Sequence, residues 1–135
     1  MVTAIKGNDT STFGGNVDLG SNSLTQNNLT GFTAKAWVKF NGTGTPAIIG
    51  SGNVSSITDI GTGTQTVNFT TAMPDTNYAA IVTTTWASGV TENVTGLIYN
   101  DAPYAPATTS VTTKTYNFNT GAAVDSSIVM LVVFR

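Results

Sequence analysis

Phe32-Thr33-Ala34-Lys35-Ala36-Trp37-Val38-Lys39-Phe40 is the stretch that decides the fold class. Side chains alternate across an extended chain, so Phe32, Ala34, Ala36, Val38 and Phe40 share one face, and Thr33, Lys35, Trp37 and Lys39 share the other. This period of two predicts a half-buried strand. The turn-forming run Asn41-Gly42-Thr43-Gly44-Thr45-Pro46 ends it.

The same texture continues toward the C-terminus. Ala47 to Gly50 reads as a short strand, then Val54 to Ile60, the turn Gly61-Thr62-Gly63, and Thr64 to Thr70 with Gln65, Val67 and Phe69 on one face. Glycine at both flanks of that turn permits positive φ, so these two strands are expected to form a hairpin. After the turn Met73-Pro74-Asp75 comes a strand from Tyr78 to Trp86, with Tyr78, Ala80, Val82, Thr84 and Trp86 on one face. Val94 to Tyr99 and Val111 to Phe118 are further strands, and the run between them, Asn100 to Ala107, is a loop because Pro103 and Pro106 exclude a central strand. The last strand, Ile128 to Phe134, is apolar on both faces and therefore expected to be covered on both. One cover would be a second sheet, and the other a loop or a neighbouring subunit. About seven or eight short strands at this spacing predict an antiparallel β-sandwich.

Composition agrees with an all-β chain. Thr supplies about a fifth of the 135 residues, and only 9% are charged, against about 25% in an average domain. Helical surfaces are built from Lys, Glu, Arg and Gln, which are scarce here. The length suits one domain, residues 32–135, preceded by residues 1–31 as an extended shaft or linker. That leading segment carries isolated apolar positions at Phe13, Val17, Leu19, Leu24 and Leu29, too sparse to close a core within one chain. It is either a disordered lead-in or a fibre shaft in which several chains meet on an axis.

The net charge is −2, and Lys6, Lys35, Lys39, Lys114 and Arg135 are scattered. Nucleic acids and anionic membranes both need a clustered basic surface, so neither is expected as a partner. So few charges protect a monomer poorly against self-association, which points to an obligate oligomer. No signal peptide is read at Met1-Val2-Thr3-Ala4-Ile5-Lys6, and Ile128 to Phe134 is too short to span a bilayer as a helix. Synthesis in a cytoplasm, without membrane insertion, is the expectation.

Catalysis finds little to work with. The absence of His and Cys excludes Ser-His, Cys-His and ordinary zinc arrangements. A glycosidase needs two converging carboxylates, and Asp59, Asp75, Glu92, Asp101 and Asp125 are isolated in turn-like contexts where Asp is the usual residue. No enzymatic activity and no cofactor are expected. Gly42-Thr43-Gly44 and Gly61-Thr62-Gly63 lack the following helix and Lys-Ser/Thr pair of a phosphate loop. Asn-x-Ser/Thr triplets at Asn8, Asn28, Asn41, Asn53, Asn68 and Asn93 are what an Asn- and Thr-rich chain throws up by chance. Thr-x-Thr pairs such as Thr43/Thr45 and Thr83/Thr85 lack the regular repeat of an ice-binding face.

The runs Ala36-Trp37-Val38-Lys39-Phe40-Asn41-Gly42-Thr43-Gly44, Asn53-Val54-Ser55-Ser56-Ile57-Thr58-Asp59, Gly61-Thr62-Gly63 and Thr66-Val67-Asn68-Phe69-Thr70-Thr71-Ala72-Met73-Pro74-Asp75 resemble the C-terminal tip domain of bacteriophage tail-fibre proteins. The similarity closes on an apolar final strand, Val129 to Arg135, and covers residues 34–135. Its pattern departs at Ile60 and at Thr64-Gln65, both in one hairpin, and residues 86–123 follow no fixed motif. Val17-Asp18-Leu19-Gly20 and Ser23-Leu24-Thr25 are similar to short shaft units. The resemblance implies a parallel homotrimer carried in the virion tail fibre, made in the host bacterial cytoplasm, with a role in host recognition.

The expected ligand is a host cell-surface glycan or another outer-membrane receptor. Sugars stack their C–H faces on aromatic rings while amides and carboxylates take their hydroxyls. Trp86, Glu92, Tyr99, Asn100, Asp101 and Tyr104 supply both kinds of group. Recognition is thus expected in distal loops, chiefly Trp86 to Asn93 and Asn100 to Ala107, repeated three-fold for avidity. With Glu92 and Asp101 the only charges in those loops, the ligand is expected to be neutral or weakly polar. The alternative for Trp86 and Tyr99 is an ordinary core or trimer-interface role. Trp37, in a strand that carries the resemblance, reads as interface or core. Two other functions fit the same residues, a trimerisation or capping module without a ligand and a bacterial adhesin domain.

Overall fold

The computed structural model describes residues 33–85 and 94–135. The expected shaft over residues 1–31, together with Trp86 and Glu92, lies outside the described residues. Eight strands follow one another: β1 (Ala34–Asn41), β2 (Ala47–Gly52), β3 (Val54–Gly61), β4 (Thr64–Phe69), β5 (Ala79–Thr84), β6 (Val94–Ile98), β7 (Ser110–Asn117) and β8 (Val129–Phe134). They form two four-stranded antiparallel sheets, β2-β1-β8-β5 and β3-β4-β7-β6. There is no helix among the described residues.

The inward faces of the two sheets build one core. Ala36, Val38 and Phe40 from β1 and Val129, Leu131 and Val133 from β8 meet Val67 and Phe69 from β4 and Val111 from β7, all buried. The expected β-sandwich is therefore the observed architecture, and the alternation in β1 is the pattern that built it. Thr113 and Thr115 continue the buried face of β7 and bond backbone carbonyls, Thr113 Oγ1 to Gln65 O at 3.2 Å and Thr115 Oγ1 to Val124 O at 2.5 Å. Gln65 is also fully buried, and its side-chain amide has no hydrogen-bond partner among the described residues.

Among the turns that use residues in the left-handed region, two tie distant segments together. The β3–β4 hairpin turns through Gly61 and Gly63, with φ of 144° and 67°. Gly63 donates its N–H to Asp125 Oδ1 at 2.6 Å and accepts from Thr115 N at 2.7 Å, so a Cβ there would collide with the backbone of Thr115 and Val124. Asn53, φ 56°, turns the chain from the first sheet to the second. Its Nδ2 donates to Lys35 O at 2.9 Å and Thr71 O at 3.1 Å, while its Oδ1 accepts from Thr71 N at 2.7 Å.

The outward faces differ in chemistry. On the β3-β4-β7-β6 sheet, Thr66 and Thr112 share a hydroxyl hydrogen bond at 2.8 Å, and Asn68 Nδ2 donates to Ser56 Oγ at 3.0 Å and Thr58 Oγ1 at 2.8 Å. On the β2-β1-β8-β5 sheet, one register runs Trp37, Val132, Ile81 across three strands. Trp37 is 47% exposed and Ile81 58%. The Trp37 indole lies over Gly50 and Gly52 of the edge strand β2, covering backbone that carries no side chain. The second face of the last strand, Met130, Val132 and Phe134, is half-buried, and the first packs on the opposite sheet as expected.

Candidate functional site

β6 and β7 pair with Leu97 opposite Lys114 and Thr95 opposite Tyr116, and Tyr99 N donates to Thr112 O at 2.9 Å just beyond the strand. Alternation places Leu97, Tyr99, Lys114 and Tyr116 on the outward face, because Val111, Thr113 and Thr115 take the core side. Beyond Tyr99 the loop turns at Asp101–Tyr104, closed by Tyr104 N to Asp101 O at 2.7 Å, with a cis peptide at Ala102–Pro103. Tyr104 returns over Tyr99, with ring centroids 5.6 Å apart and planes inclined at 48°. The result is an open cleft of about 380 Å³, whose lining includes Leu97, Tyr99, Asn100, Asp101, Lys114, Tyr116 and Gly121. That volume is in the range of small-molecule sites.

Four of the residues singled out in the sequence come together here: Tyr99, Asn100 and Asp101 line the cleft, and Tyr104 stacks on Tyr99. The rings of Tyr99 and Tyr104 are half-buried, and Asn100 and Asp101 are exposed. Lys114, Tyr116 and Leu97 were missed. Their signal was the alternation of the seventh strand, which separates Lys114 and Tyr116 from Val111, but the register that sets them beside Tyr99 depends on tertiary pairing. Lys114 Nζ stands 5.0 Å from the Tyr99 ring centroid, within the reach of a cation–π contact. A cation therefore enters a site whose ligand was expected to meet only acidic charge.

The two loops named in the sequence leave β6 from opposite ends. Segment 86–93 leads into β6 at Val94, whereas loop 100–107 leaves from the other end of the strand, beside Thr112. Ser110, Ala107 and Tyr78 stand at that second end, and Tyr78 adjoins Ala79, which pairs with Phe134 beside Ala34. Loop 100–107 is thus at the end of the sandwich where β1 begins. Two loops flanking one strand in the sequence need not share a site, since a strand separates its ends by about 3.3 Å per residue.

The carboxylates elsewhere serve turns. Asp59 Oδ1 accepts from Gly61 N at 3.0 Å, and Asp75 Oδ1 accepts from Asn77 N at 2.8 Å. Asp75 also pairs with Arg135, and the guanidinium hydrogen bond, followed by the Asn77 N–H, holds its carboxyl below its ordinary value. No group of three His, Cys, Asp or Glu that could hold a metal ion occurs among the described residues. Comparison with models of protein families, with curated proteins and with solved structures returned no match.

Proposed function

We propose that this chain is the receptor-binding tip of a bacteriophage tail fibre, a homotrimer that takes a host cell-surface glycan in the Tyr99–Tyr104 cleft. The observation that carries the reading is the tilted tyrosine pair with Asn100 and Asp101 beside it, an aromatic platform adjoining hydroxyl-binding groups. The sequence resemblance over residues 34–135 supplies the biological setting, with assembly into the virion after synthesis in the host bacterium. The role is attachment without catalysis: the chain has no His or Cys, and Asp59, Asp75 and Asp125 are engaged by backbone N–H groups. The apolar register Trp37–Val132–Ile81 supports self-association, because an exposed tryptophan and isoleucine in one apolar row, with Val132 between them, lower their free energy by leaving water.

A purely structural capping module would use the same apolar face and leave the cleft idle. Attachment of the purified protein to candidate host cells separates the two readings. Tyr104→Ala and Trp86→Ala are measured beside the wild type, and the cleft assignment requires the first to reduce attachment strongly while the oligomer persists. Full attachment by Tyr104→Ala would move recognition away from the cleft. No attachment of the wild type to any host would leave the capping role.

A further inference from the structure

We infer that the ligand of this cleft carries a carboxylate, as a uronic-acid-type sugar does; the inference rests on the glycan-binding reading above. Lys114 lines the cleft and is half-buried, with the π face of Tyr99 5.0 Å from its ammonium. Among the described residues the only ion pair joins Arg135 to Asp75. Asp101 lines the same cleft and lies beyond ion-pair distance of Lys114. The cleft therefore presents a half-buried cation and an exposed carboxylate, kept apart.

A neutral sugar entering this space would strip water from the ammonium and return only hydroxyl contacts. A sugar bearing a carboxylate returns a charge-assisted hydrogen bond, roughly twice as strong as a neutral one. Asp101 then fixes the orientation: its oxygens accept from sugar hydroxyls and repel the sugar carboxylate, which is driven to the Lys114 side. Tyr99 and Tyr104 take the apolar ring face, and the Asn100 amide can donate to or accept from a further hydroxyl. One cation offset by one carboxylate matches a singly charged group better than a doubly charged phosphate ester.

The test is an NMR titration of the full-length protein with methyl glucuronide and methyl galacturonide, against methyl glucoside, methyl galactoside and glucose 6-phosphate. One of the two uronides is expected to bind about tenfold more tightly than its neutral counterpart, with shifts at Tyr99 and Lys114 and weakening in added salt. Lys114→Met should erase that preference, and Lys114→Arg should retain it. Equal affinity for acidic and neutral sugars overturns the carboxylate assignment and leaves the glycan reading intact. Tightest binding of glucose 6-phosphate overturns it in favour of phosphate. Absence of any shift at the cleft, in protein that still attaches to cells, overturns both the assignment and the use of this cleft.

Discussion

Asn53 shows how much one residue can hold. With φ of 56° it occupies a region that most side chains avoid, and its amide ties Lys35 and Thr71 on either side of the crossing between sheets. In the sequence it heads an Asn-Val-Ser triplet whose modification reading has no weight, and nothing in its spacing announces a clamp. Asn53→Ala is expected to destabilise the fold by about 2–4 kcal/mol, the sum of a strained φ and stranded backbone groups. Chemical denaturation measures it, and a loss under about 0.5 kcal/mol, typical of plain surface positions, would contradict the clamp. Gly63→Ala should be worse, since the added carbon meets the backbone of Thr115 and Val124. A loss of roughly 3 kcal/mol or more, or failure to fold, is expected. Asp125→Ala, which removes only the carboxylate that accepts from Gly63 N, is the milder companion.

Between elements, the tie most open to a pH measurement is Tyr78. Its hydroxyl, just before β5, donates to Ala107 O at 3.0 Å or Ser110 O at 3.1 Å at the start of β7, and its ring meets Phe69 edge-on with centroids 6.1 Å apart. Burial pushes the phenol up to about 12, against about 10 in an unfolded chain. The folded state thus favours the protonated form. Its contribution is full below about pH 10 and is lost as the pH rises from there toward about 12. Wild-type stability should fall across that window, and Tyr78→Phe, less stable at neutral pH, should fall less steeply. Parallel curves for the two proteins would remove Tyr78 as the cause. The strands themselves were legible wherever apolar and polar residues alternate, as in β1 and β4. The ends were less so: Phe118 continues the pattern of the seventh strand but is 68% exposed in the turn after β7, where Asn117 Oδ1 accepts the N–H groups of Asn119 and Thr120. Of the cleft, the loop half was readable from aromatic and amide residues near prolines. The strand half, Lys114 and Tyr116, was not, because pairing register is set by partners far along the chain.

For the whole molecule, the two outward faces differ in chemistry. The Thr- and Asn-rich face bears the cleft at its β6–β7 edge, and the apolar face bears Trp37, Val132 and Ile81. If the apolar face joins copies into a trimer, light scattering at micromolar concentration should give three times 13.9 kDa, and each interface should bury about 2,000 Å² or more. Ile81→Glu should reduce the trimer, whereas Lys114→Met on the other sheet should not. A stable wild-type monomer would refute trimerisation, and an intact Ile81→Glu trimer would relocate the interface. The pairing of β8 between β1 and β5 has a further consequence, for synthesis. Residues 34–41 leave the ribosome with the β2 hairpin partner at hand, but their other neighbour, residues 129–134, is made only some ninety residues later. Until then β1 and β5 both expose open edges to any other nascent chain nearby. Neighbouring ribosomes on one message would hold several such copies together, so that, if copies of the chain associate, completion of each sheet and their meeting would fall in the same interval.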